Sequence, residues 1–94
     1  MEREKLRRYA NLLRPRFIIG KNGVTEQTVR DISEALKHEK IIKIRLLRTA
    51  FSNKGMDRKA LVRGLLDSTG TQLVEFVGFT VTITKSELKK EKVL

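Results

Sequence analysis

The sequence contains no cysteine. Disulfides, a thiolate metal site and a cysteine nucleophile are therefore excluded, and a reducing compartment is the natural setting. It contains one histidine, His38, with no second His or Cys to complete a metal site and no catalytic partner pattern around it. His38 therefore reads as a surface residue. Ser33, Ser52, Ser68 and Ser86 have no nucleophile signature around them, and no catalytic constellation can be assembled, so an enzyme is not expected. No apolar run approaches membrane-spanning length, and the first helix-like stretch is too charged for a signal peptide. A soluble cytoplasmic protein is the expectation. There is no internal repeat, no low-complexity segment and, at 94 residues, no room for a second domain.

What is abundant is positive charge. Lys and Arg number 21 against 11 acidic residues, a formal +10. The excess is uneven: residues 1–25 carry seven basic and two acidic side chains, and residues 37–63 carry nine and two. The intervening stretch 26–36 and the stretch 64–84 are each −2, and the tail 85–94 is +2. A surface that only keeps a protein soluble mixes its signs more evenly. Two basic segments flanking an acidic one look like the footprint of a polyanion, nucleic acid above all. The alternative is the generic excess charge of many small basic proteins.

Near the end of the first basic segment lies Gly20-Lys21-Asn22-Gly23. An apolar run, Phe17-Ile18-Ile19, precedes it, and Val24-Thr25, where a helix should start, comes directly after. Glycines permit positive φ and close approach of another backbone. Free N–H groups at a helix start face an anion, and the helix dipole favours negative charge there. Lys21 adds a full charge at the tip. A lone G-x-x-G is also what an ordinary strand-to-helix turn looks like. It is not a nucleotide-hydrolysing P-loop, because the six-residue glycine spacing and the Lys-Ser/Thr ending are missing.

In chain order, residues 2–13 read as an amphipathic helix with Leu6, Tyr9, Ala10 and Leu13 on one stripe, ended by Pro15 acting on Arg14. Residues 16–19 form a short strand. A helix from about 25 to 38 starts on an N-capping Thr25 and buries Val29, Ile32, Ala35 and Leu36. Residues 40–48 alternate Ile42, Ile44 and Leu46 with Lys43, Arg45 and Leu47, a strand with one core face and one wet, cationic face. Residues 49–56 are a loop containing Phe51, which is expected to fold back on the core, the alternative being a base-stacking platform. A third helix runs from about 57 to 69, buries Leu61, Val62, Leu65 and Leu66, leaves Arg58, Lys59 and Arg63 facing out, and stops at Gly70. Residues 72–77 and 80–85 form a hairpin about Gly78-Phe79, with Val74 and Phe76 on one face and Phe79 exposed at the tip. The fold class is α/β (α+β), in the order α-β-α-β-α-β-β. A four-stranded mixed sheet is packed by three helices, mainly on one side. The domain is expected over 1–85, with 86–94 a charged tail.

Leu6-Arg7-Arg8-Tyr9-Ala10, Leu13-Arg14-Pro15, Ile19-Gly20-Lys21-Asn22-Gly23-Val24-Thr25, the strand Glu39–Arg45, and Thr69-Gly70 with Val77-Gly78 together resemble the CRM domain of the YhbY-like RNA-binding proteins, in the right order over residues 4–85. The resemblance implies a fold like the C-terminal domain of bacterial initiation factor three. It also implies a KH-like glycine loop that contacts RNA, and association with precursors of the large ribosomal subunit. Departures stand at Phe79, where the family often has a basic or polar residue, and at Ile83-Thr84-Lys85, where an aromatic–basic pair is common.

The expected function is non-catalytic binding of structured or ribosomal RNA in large-subunit assembly. The expected contacts are Gly20, Lys21, Asn22, Gly23 and Thr25 at the loop, with Arg3, Arg7, Arg14, Arg16, Lys43 and Arg45 around it. Phe79 is the exposed candidate for stacking on an unpaired base. The partner is RNA met by a monomer, with no cofactor, metal, small-molecule substrate or membrane. The alternatives are an Alba-like architectural DNA-binding protein and an RNA chaperone or splicing factor.

Overall fold

The computed structural model describes residues 3–51 and 55–85, the side chains of Arg3 and Leu6 aside. Ser52, Asn53 and Lys54 of the expected turn, and the tail, lie outside the described residues. The elements are α1 (Arg3–Leu12), β1 (Phe17–Ile19), α2 (Glu26–Ala35), β2 (Ile41–Leu46), a single 3-10 turn (Arg48–Ala50), α3 (Arg58–Thr69), β3 (Thr71–Val77) and β4 (Thr80–Lys85). The expected order is found, with boundaries shifted by a residue or two.

The four strands form one mixed sheet in the order β1-β2-β4-β3. β1 and β2 are parallel, with Phe17 opposite Ile44 and Ile19 opposite Leu46. Parallel neighbours need a crossover, which α2 supplies. β4 is antiparallel to both β2 and β3, and so sits inside the sheet. The β3–β4 turn has Gly78 at φ 59° and no positive φ at Phe79, the pattern of a two-residue turn with glycine first.

The main core lies on the α2/α3 side of the sheet. Ile19, Ile42, Ile44, Leu46, Val81 and Ile83 point from the strands toward Ile32, Leu36, Leu61, Val62 and Leu65. Each such fully buried side chain contributes about 1.5–3 kcal/mol of transfer free energy. Both helices are capped as their sequences suggest. Thr25 Oγ1 accepts the Thr28 N–H at 3.2 Å, and an Asp57 carboxylate oxygen accepts the Ala60 N–H at 2.8 Å. Gly70 ends α3 in left-handed geometry, φ 65°.

α1 departs from the expectation that helices lie mainly on one side. It crosses the opposite face, where Ala10 and Leu13 pack with Ile41 and Val74. This seam is narrow, so Tyr9, expected on the buried stripe, is 51% exposed. Val74 and Phe76 were expected on one face, but Val74 joins the α1 cluster and Phe76 the main core. The cause is a β-bulge: Leu73 opposes Ile83 and Glu75 opposes Thr82, leaving Val74 as the extra residue. One inserted residue reverses the inward and outward assignment of the rest of the strand. Thr82, which the alternation with Val81 and Ile83 puts on the polar face of β4, is also buried.

Candidate nucleic-acid interface

The glycine loop leaves the end of β1 from a fixed point. Ile19 is buried, and its carbonyl accepts the Leu47 N–H at 2.9 Å. Gly23 N–H then donates to the Gly20 carbonyl at 2.8 Å, closing a four-residue turn. The central residues, Lys21 and Asn22, are exposed. The two glycines do different jobs. Gly23 is buried and has φ 67°, as suits the last position of a type I turn. Gly20 does not have positive φ; a Cβ there would meet Leu47 Cδ1 at 3.4 Å, ordinary packing distance. Only one glycine therefore uses the conformational freedom expected of both.

Beyond the turn, Thr25 is extended (φ −106°, ψ 173°) and opens α2. It satisfies the Thr28 N–H, which leaves the N–H groups of Glu26 and Gln27 facing outward at the positive end of the helix dipole. The Glu26 side chain is exposed there and pairs with Arg30 at 3.9 Å. Its carboxylate opposes an anion along the flank of α2, so the turn tip is the more favourable place. Lys21 stands at that tip, with no carboxylate partner among the described residues.

The cations named from the sequence fall into three situations. Lys43, half-buried, and Arg45, exposed, lie on the α1 side of the sheet. The strand register sets Arg45 in a row with Ile18, Thr80 and Val77, one residue from each strand. α1 covers the Ile41 end of that face and leaves this row open, with Ile18 64% and Val77 61% exposed. The row is next to the glycine loop, because Ile18 is two residues before Gly20. Arg7 on α1 and Arg14 just after it are exposed, and α1 lies over this same face. Arg3 opens α1, and its side chain is outside the described residues. Arg16 differs from the rest: it is ion-paired with Glu39 and lies over the Phe17 ring, 6.0 Å from its centroid.

Two cations that are not among the expected contacts belong to the same end of the molecule. Arg48 and Arg58 flank the ring of Phe79, with guanidinium carbons 5.7 and 5.3 Å from its centroid. Phe51 stacks on the same ring at 6.0 Å. Arg58, expected to face out, is half-buried over Phe76 and donates to the Gly78 carbonyl. Only the sheet order could have revealed this cluster, since it draws on three separate segments. A groove of about 250 Å³ separates Gly23 and Val24 from Ala60, Gly64 and Ser68 of α3. These small residues, spaced four apart on one helix side, leave room for another chain.

Among the described residues no cluster of three or more His, Cys, Asp or Glu side chains could hold a metal ion. No helix among them is long and apolar enough to cross a membrane.

Known proteins with this arrangement form a consistent set. A protein of Bacillus subtilis named "Probable RNA-binding protein YqeI" is 32% identical over 88 residues, covering 94% of this chain and 88% of the relative. One of Pseudomonas aeruginosa, "Probable RNA-binding protein PA4753", is 26% identical over 97% of this chain and 84% of its own. The solution structure of "the hypothetical protein SAV1595 from Staphylococcus aureus, a putative RNA binding protein" superposes with a TM-score of 0.71 at 30% identity, covering 89% of this chain and 83% of that one. The model of the CRS1 / YhbY (CRM) domain matches residues 1–85, which takes in the glycine turn, the open sheet face and all four strands; the chain belongs to this family.

Proposed function

We propose that this protein is a non-catalytic RNA-binding module that grips structured ribosomal RNA during assembly of the large ribosomal subunit. The observation that carries the reading is the Gly20–Gly23 turn: it holds a lysine at an exposed tip, directly before outward-facing N–H groups of a helix. A phosphate fits there through backbone donors, with Lys21 as a point charge. Arg45 and Lys43 on the adjoining sheet face, with Arg7 and Arg14 above it, extend the contact along the backbone of a folded RNA. The groove beside Gly23 lets that backbone come close to α3. Affinity in such an arrangement comes mainly from phosphates, and selectivity from the shape of the RNA.

The two relatives described above are named for RNA binding, which supports binding over catalysis. Ultraviolet crosslinking in cells, with sequencing of the attached RNA, tests the proposal. Enrichment of large-subunit ribosomal RNA and its precursors is expected. Crosslinks spread over unrelated transcripts, or to DNA in a competition assay, would remove it.

A further inference from the structure

An aromatic side chain at the apex of a two-residue hairpin normally has little to pack against. Phe79 occupies that position here and is nonetheless held on several sides. Phe51 stacks on it with an interplanar angle of 23°. Arg48 and Arg58 lie over it at 5.7 and 5.3 Å, and Arg58 is fixed in turn by the Phe76 ring and the Gly78 carbonyl. Even so, 36% of Phe79 remains in solvent. Neither guanidinium has a carboxylate partner among the described residues. Arg48 is exposed. An aromatic ring in contact with two guanidiniums that lack carboxylate partners among the described residues is a small platform, part apolar and part cationic.

Two hydrogen bonds at the end of β2 fix its position relative to the glycine turn. The Leu46 N–H donates to the Phe79 carbonyl at 2.7 Å, and the next N–H, of Leu47, donates to the Ile19 carbonyl at 2.9 Å. The platform and the turn therefore flank one strand end from opposite sides, about two strand spacings, or roughly 10 Å, apart. Nearby nucleotides of one strand can reach both.

We propose that Phe79, backed by Phe51, stacks on an unpaired base of the RNA whose phosphate occupies the Gly20–Gly23 turn, while Arg48 holds a neighbouring phosphate. This rests on the RNA-binding reading and adds to it a preference for unpaired nucleotides at one end of the site. Base–aromatic stacking needs a base free of its duplex, whereas the turn alone takes phosphates from either form.

The test compares a short single-stranded RNA carrying one 2-aminopurine with the same strand fully paired. The wild-type protein should bind both, prefer the single strand and change the 2-aminopurine fluorescence. Phe79→Ala should lower single-strand affinity about tenfold, abolish the fluorescence change and leave duplex affinity as it was; Phe79→Tyr should behave as wild type. Arg48→Gln, at an exposed position, should lower the salt slope for the single strand by about one without loss of folding, and so remains decisive if Phe79→Ala does not fold. Wild-type binding with an unchanged preference in Phe79→Ala, or an unchanged slope in Arg48→Gln, would overturn the platform and leave the turn as the binding site. No binding of either RNA by the wild type would overturn both.

Discussion

Lys21 and the two glycines beside it separate binding from folding. Lys21 is exposed, so its replacement should not disturb the fold. Lys21→Glu should weaken RNA binding by about 1–3 kcal/mol, the scale of a lost charge-assisted contact, with an unchanged denaturation midpoint. Fluorescence anisotropy alongside denaturant melts checks both halves. Gly23 has the opposite character. With φ at 67°, Gly23→Ala should cost about 1–2 kcal/mol of stability, because a Cβ strains left-handed backbone. Gly20→Ala should be neutral or stabilising by up to about 1 kcal/mol, through a stiffer unfolded chain, since its Cβ would rest at packing distance from Leu47. Equal losses at the two glycines, measured in urea, would contradict these geometries. Such a distinction was beyond the sequence: G-x-x-G announces a turn, but which glycine is left-handed depends on the hydrogen bond that closes it.

At the scale of elements, local signals were read correctly where they act locally. Thr25, Asp57 and Gly70 mark helix ends by their own chemistry, and each was found at the end of a helix. Thr25→Ala should therefore destabilise the protein by about 1 kcal/mol, the usual worth of an N-cap, in a thermal or chemical melt. What could not be read was the second face of the sheet. Alternation in Leu73–Phe76 suggests one buried side, yet the bulge sends Val74 to α1 and Phe76 to the main core. Ile41-Ile42 gave a faint signal of the same kind, two successive buried residues serving opposite faces. Val74→Ala should cost about 2 kcal/mol, two methyl groups of transfer plus part of a cavity, and should loosen α1 before the rest. Amide exchange in α1 that rises no faster than in α3 would show that the small cluster is not an independent support. Phe51 and Phe79 are each visible in the sequence, but their association with each other and with Arg48 and Arg58 is not, for a related reason. The cluster's parts come from a loop, a helix start and a hairpin tip, and only the placement of β4 beside β2 brings them together.

For the whole molecule, the net +10 does not say which cations are open to a polyanion. Ion pairing separates them: Arg16 is paired with Glu39, Arg30 with Glu26 and Lys37 with Glu34. Arg45 stands in the open row of the sheet beside the glycine turn, without such a partner among the described residues. If about four phosphates are neutralised in the complex, log affinity should fall against log salt with a slope of about −3. The two arginines should then separate. Arg45→Gln should make the slope shallower by about one, as expected for a lost phosphate contact. Arg16→Gln should change it much less, because Arg16 is held by Glu39 and no phosphate contact is lost. Titrations of one structured RNA at several potassium concentrations measure both slopes directly. A flat wild-type response would mean that binding does not run through phosphates at all. Equal changes for Arg16 and Arg45 would mean that the RNA breaks the Arg16–Glu39 pair on arrival, and that the footprint extends around the β1 edge of the sheet.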